Sequence, residues 1–314
     1  MLGSDIYWDH LIESFGCDPA VLVYDKYCGT TGLLKERFPV AFERFNCVIN
    51  HPLTEEEKSV FRALYTDLPG VLTESIAELD CSLELRSQVN PFFANLSKPK
   101  AKNGRSTARK SSTRGKVFTE RGEQWVNRIE KPLSRELWNQ LLSLGSSFMG
   151  NDQLRLDFFI CVMRQIWSSP AKQTVLSDSL KCLGFAEVGS ISVDRMLPYY
   201  VYHQIAINSI VMWTNAQYHI AFLRIPQGAR YSFIVTDNPV IDISEESKNA
   251  EAKAASCYLG VISPSLALIV SDQIVGKTRF VNERETAMYN TLLFKKANRY
   301  VVSNRERDIF QSCC

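Results

Sequence analysis

The chain has 314 residues, a formal net charge of +2, 45% hydrophobic residues and 11% aromatic ones. That composition excludes a disordered chain and provides a sizeable core, in one large domain or two ordinary ones. The nine cysteines include no CxxC pair, which excludes a dense disulfide scaffold and points to reduced thiols in a cytosol.

The N-terminus, MLGSDIYWDH, has neither a basic nor an apolar region, so no signal peptide is expected. The longest apolar stretch, YLGVISPSLALIV at 258–270, is too short for a membrane helix and contains Pro264. A cytoplasmic protein without a membrane partner is the expectation. The four histidines are scattered and suggest no zinc spacing.

Residues 20–28, AVLVYDKYC, read as an early strand. Thr54 and Glu57 form a capping box, and Val60, Phe61 and Leu64 continue it as a helix. Ile76, Leu79 and Leu83 mark a second helix over 73–86.

The run 97–116 then breaks the pattern. It carries Lys98, Lys100, Lys102, Arg105, Arg109, Lys110, Arg114 and Lys116 with no acid. Removing those eight charges from a net of +2 leaves −6 for the rest. Lys, Ser, Thr, Gly and Pro bury too little surface to offset ordering entropy, so the run reads as a flexible linker or loop. The plain reading is a solvated connection. The functional readings are counterion-releasing contact with nucleic acid, or an acidic protein partner. No aromatic interrupts the run, so it carries no base-stacking platform of its own. The expected organisation is a helical N-terminal region over 1–96, a basic linker or loop over 97–117, and an α+β domain over 118–314.

After the strap, Thr119 is placed to cap a helix with Trp125 and Ile129, which Pro132 stops. Ser134 caps the next, with Leu137, Leu141 and Leu144 on one face. Leu154, Phe158, Cys161, Val162 and Ile166 give a helix over 152–167. Asp194 is the expected cap of a long helix through 215 that contains Pro198. From 218 the period shortens: HIAFLRI, YSFIVT, YLGVIS and LALIVS read as strands. Asn282 and Glu285 open a helix through Met288 and Leu292, and RYVVS at 299–303 is the last strand. The terminal SCC reads as a frayed tail. The fold class is α+β: a helix-rich first two thirds, then a mixed sheet with a packed helix.

The strand YSFIVT runs into Thr236, Asp237, Asn238 and Pro239. Apolar residues on both faces make it an interior strand. Pro239 ends it and pushes Asn238 into an extended or turn conformation. Asp and Asn there stabilise a turn through their own side chains. Alternatively the strand aims a carboxylate and an amide into a ligand crevice, with Asp237 taking a cation or donor group and Thr236 and Asn238 orienting it.

The stretch FIVTDNPV resembles the C-terminal part of a bacterial family known as domain of unknown function 4238. Its members share a strand ending in Ser/Thr-Asp-Asn-Pro-Val and a Leu/Ile-Ser-Pro segment, here Ile262-Ser263-Pro264. An Asn-containing helix and a final strand near Arg299-Tyr300-Val301-Val302 complete the pattern, and the helix ending in Arg164 and the Trp213 segment also fit. The resemblance covers residues 118–304. The family's opening His-x-Val-Pro is not found in residues 1–60, where His51-Pro52 is a different pattern. The resemblance implies a bacterial, cytoplasmic protein.

Several chemistries compete. SDQIVGKT, 271–278, approaches a phosphate loop, but Ser271 replaces its first glycine and Asp272 would repel phosphate. A magnesium-dependent phosphodiester hydrolase needs an acid at a strand end and a Glu-x-Lys beside it. Asp237 supplies the first as catalytic group and metal ligand; Glu246 with Lys248, or Glu251 with Lys253, spell the second. Both triplets lie in ISEESKNAEAKAAS, which reads as a charged surface segment. The expectation is a protein that binds nucleic acid or another polyanion through its basic strap. The alternatives are a nuclease-like hydrolase and a non-catalytic protein-interaction module.

Overall fold

The computed structural model describes residues 21–33, 49, 51–65, 70–96, 125–130, 134–143, 147–167, 169–182, 192–215, 217–245, 256–272 and 278–313. The chain is α+β, with helices concentrated in the N-terminal part and sheet in the C-terminal part.

The first helix among the described residues, α1 (Glu55–Leu64), starts at the expected capping box. Thr54 Oγ1 accepts from Glu57 N, and Glu57 Oε2 accepts from Thr54 N. Glu57 does more than cap: its other oxygen accepts from Ser192 N at 3.2 Å, fully buried. Two long helices follow among the described residues, α2 (Gly70–Leu96) and, after α3 (Arg135–Leu142), α4 (Asp152–Trp167). Ser134 caps α3 as expected, accepting from Leu137 N. Then come α5 (Pro170–Cys182) and α6 (Val193–Thr214). Apolar residues on every side of α4 explain its place: it packs on α6 and against the sheet, with Phe158 to Ile166 all buried.

Two sheets carry the rest. In the first, β1 (Leu22–Asp25) and β2 (Thr30–Leu33) form a hairpin that joins β9 (Tyr300–Ser303) and β4 (Val235–Thr236), in order β2-β1-β9-β4, all antiparallel. The register Asp25↔Tyr300 places the end of β1 beside the start of β9. Residues before and after the basic strap therefore share one sheet. The second sheet runs β5 (Val240–Asp242), β6 (Cys257–Ser263), β7 (Leu266–Ser271), β3 (His219–Arg224), β8 (Arg279–Phe280). It is mixed, since β3 and β8 are parallel and the other pairs antiparallel. Every residue of β7 is buried, which fits its unbroken apolar run. Between β8 and β9 lies α7 (Glu283–Lys296), opened by the Asn282–Glu285 capping box. The last helix is α8 (Glu306–Cys313).

Some elements differ from expectation. The cap of α6 is Ser192, with Asp194 already in the first turn. Helix α5 was not expected; it opens on Pro170, and Pro is favoured in a first turn, where its missing N–H has no partner to lose. The C-terminal tail, expected to fray, forms α8 as far as Cys313, with Asp308 and Ile309 buried against α7 and β9. The strand expected over 231–236 pairs only at Val235 and Thr236, at a sheet edge. The backbone groups of Ser232 and Ile234 are bonded by helix side chains instead. The expected cap Thr119 lies outside the described residues.

Candidate functional site

The stretch Tyr231–Asn238 is clasped on both sides by side chains from distant segments. Asn290, on the buried face of α7 and 3% exposed, receives Ile234 N on its Oδ1 at 3.0 Å and donates from Nδ2 to Ser232 O at 2.8 Å. An amide presents one acceptor and one donor at the spacing of a peptide group, so it pairs as a neighbouring strand would. Asp308 of α8 receives Ser232 N at 3.1 Å and Ser232 Oγ at 2.6 Å. Phe233 N donates to Pro264 O, which connects the Ile262-Ser263-Pro264 segment to the same stretch.

At the strand end each residue of Thr236-Asp237-Asn238 bonds the backbone. Thr236 Oγ1 donates to Asn238 O and accepts from Asn238 N. Asn238 Nδ2 donates to Lys296 O at 3.3 Å. Asp237 Oδ1 accepts from Asn298 N at 2.9 Å; its Oδ2 accepts from Arg299 N at 2.8 Å and Tyr300 N at 3.1 Å. Three N–H groups thus occupy most of the carboxylate's acceptor sites. Burial pushes the Asp237 carboxyl above the usual carboxylate range, against the three N–H donors and Lys26, which pull it down.

The other half of this end comes from the β1–β2 hairpin. Asp25, 4% exposed, accepts Tyr27 N and Cys28 N on Oδ1, and Arg299 Nε and Nη2 on Oδ2. The Arg299 hydrogen bond holds the Asp25 carboxyl below its usual range. Gly29 closes the hairpin at φ 63°, a left-handed turn that a side chain would strain. Lys26 Nζ donates to Phe294 O and Ala297 O, covering carbonyls at the α7 C-terminus.

The sequence singled out Thr236, Asp237 and Asn238, and the structure brings them together at the loop 297–300. Asn290, Asp308, Asp25, Lys26 and Arg299 were missed as members of this cluster. A local signal existed for Asp25, an acid at a strand end ahead of a glycine turn. Glu246, Lys248, Glu251 and Lys253 lie outside the described residues, as do all eight cations of the strap from Lys98 to Lys116. Among the described residues no three His, Cys, Asp or Glu side chains gather as metal ligands, and no helix is long and apolar enough to cross a membrane.

No curated protein and no solved structure matches the chain. The family model described as protein of unknown function (DUF4238) matches residues 81–307, a span that contains the clasped stretch, Asn290, Arg299 and the strap. The protein therefore belongs to the DUF4238 family.

Proposed function

We propose that this protein is a cytoplasmic, non-catalytic binder of nucleic acid or a related polyanion, and that residues 97–116 are its contact. The observation that carries this reading is charge placement. Eight cations without an acid sit in one run, while the remainder of the chain is net negative. Such a run binds phosphate chains by releasing their condensed counterions. The Asp237 cluster supports a scaffold role beside it, because its carboxylate is engaged by three backbone N–H groups. The cytoplasmic part is supported by free thiols at Cys28, Cys81, Cys161, Cys182 and Cys257.

The test is retention on heparin and binding to single- and double-stranded DNA and RNA across a salt series, with and without Mg²⁺. The full chain is compared with one lacking residues 98–116. Salt-sensitive binding that is lost on deletion is the expected result. Unchanged retention after deletion overturns the strap as the contact. Loss of intact nucleic acid only with Mg²⁺ would move the assignment to phosphodiester hydrolysis.

A further inference from the structure

Four residues of α4 fall on one helix face at the spacing i, i+3, i+4 and i+7: Phe158, Cys161, Val162 and Gln165. Three suit a core face and the fourth does not. Gln165 is nonetheless 5% exposed, and its Nε2 has no hydrogen-bond partner among the described residues. An orphaned buried donor is a standing cost to the fold. All four side chains line a cavity between α3, α4 and the second sheet, partly open to solvent. Its wall also includes Trp138 and Leu141 of α3, Val240 of β5 and Leu268 of β7. Gly260 of β6 keeps space free there, since a Cβ on it would stand 3.2 Å from Val240 Cγ2 and 3.5 Å from Leu268 Cδ1.

About 30 Å³ remains for the centre of a water-sized sphere. One water needs about 10–15 Å³ by that measure, so the choice lies between a pair of waters and a short run of heavier atoms. The chemistry of the wall decides it. A buried water is held by roughly two to four polar partners. Gln165 apart, the polar side-chain atoms here are the Trp138 indole nitrogen and the Cys161 sulfur, neither a good acceptor. Waters would find little to donate to. A carboxylate is disfavoured as well, because one neutral amide donor does not offset the burial of a charge. An apolar group with a single acceptor oxygen suits both the wall and the donor.

We infer that this cavity binds a small neutral carbonyl compound, with the carbonyl oxygen accepting from Gln165 Nε2 and the alkyl part lying against Val162, Val240 and Leu268. An alcohol of the same size fits less well, since its hydroxyl proton gains no good acceptor. The site is separate from the strap and stands whether or not the chain binds polyanions.

The experiment is a titration of the full chain with butanone, followed through the methyl NMR signals of Leu141, Val162, Val240 and Leu268. Millimolar butanone moves these signals to saturation, while butyrate at the same concentration does not. Gln165→Leu keeps the volume, removes the orphaned donor and weakens butanone about five- to tenfold. Without ligand, the same variant unfolds at a higher temperature than the unaltered chain. Gly260→Ala fills part of the cavity and weakens butanone too, with near-UV circular dichroism checking that both variants are folded. Equal butanone affinity in Gln165→Leu and the unaltered chain overturns the inference, as does butyrate binding as tightly as butanone, or no saturable shift with butanone at all. A Gln165→Leu chain less stable than the unaltered one overturns it as well, because Nε2 would then have a partner in the folded protein. Heparin retention is the same in Gln165→Leu and the unaltered chain, so failure here and failure of the strap reading are told apart.

Discussion

Asn290 and Ile234 are 56 residues apart, yet the Asn290 side chain takes the place of a β-strand beside Ile234. The same amide reaches Ser232 O, so one side chain satisfies a donor and an acceptor of a fully buried segment. This explains why the stretch SFIV is buried like an interior strand yet hydrogen-bonds to a sheet only at its end. A helix residue has replaced the missing neighbour.

Replacing Asn290 by Ala should leave Ile234 N and Ser232 O without partners. Each orphaned buried group costs about 1–3 kcal/mol, so a loss of about 2–6 kcal/mol is expected in urea unfolding. Asn290→Asp keeps the acceptor but loses the donor to Ser232 O, and should fall between. An Asn290→Ala loss below about 1 kcal/mol would mean that water or a local shift satisfies the two groups.

Asp237→Asn tests the clasp at the other end. The amide keeps one acceptor oxygen but turns an NH₂ toward backbone donors among Asn298, Arg299 and Tyr300. A destabilisation of about 1–3 kcal/mol is expected, with nucleic-acid affinity of the folded variant unaltered. Full stability together with loss of a Mg²⁺-dependent activity would assign Asp237 to chemistry.

Local encoding decided what the sequence disclosed. The Thr54–Glu57 and Asn282–Glu285 boxes lie within four residues, and both formed as read. The β6–β7 hairpin followed from two apolar runs around Pro264 and Ser265. The clasp was illegible for the opposite reason: its partners are 56, 61 and 76 residues apart. Asp and Asn after a strand stabilise a turn through nearby backbone or reach across the fold, and only the fold tells which. Thr236 does the first, bonding Asn238 two residues on, and Asp237 does the second. Helix α8 escaped notice because few of its side chains are apolar and its anchor is a buried acid, Asp308.

Asp25 gives stability a pH signature. Its folded carboxyl titrates below the usual value because Arg299 bonds its charged form. The folded state therefore binds the Asp25 proton more weakly than the unfolded state does. The resulting stabilisation is present above the unfolded value, about 3.9, and disappears as pH falls through the lower folded value. Asp237 and Asp308 shift upward through burial, so their contribution runs the other way, with stability falling as pH rises through their raised values. Overall acid sensitivity mixes these trends, and Asp25→Asn isolates one. The stability gap between the unaltered chain and Asp25→Asn should be widest near neutrality and close in acid. A gap independent of pH in urea titrations would show that Arg299 contributes nothing through Asp25.

His203 provides the last test, at the contact between α2 and α6. It is fully buried, with Nε2 2.7 Å from Asp80 Oδ1 and Nδ1 2.7 Å from Tyr199 O. Phe61 and Tyr65, from α1 and the residue that follows it, each stack 5.1 Å from its ring. Both ring nitrogens are thus engaged, which leaves neither to act on a substrate and makes the residue a junction of α1, α2 and α6. Asp80→Ala leaves Nε2 facing a gap and should cost about 1–3 kcal/mol. Asp80→Asn retains an acceptor for an imidazole N–H and should recover much of that. The aromatic stack gives a local reporter: near-UV circular dichroism should weaken in Asp80→Ala before the far-UV signal changes. Equal stability in Asp80→Ala and the unaltered chain would show that solvent serves Nε2 as well as the carboxylate does. That outcome would leave ring packing with Phe61 and Tyr65 as what joins α1 to α6 at His203.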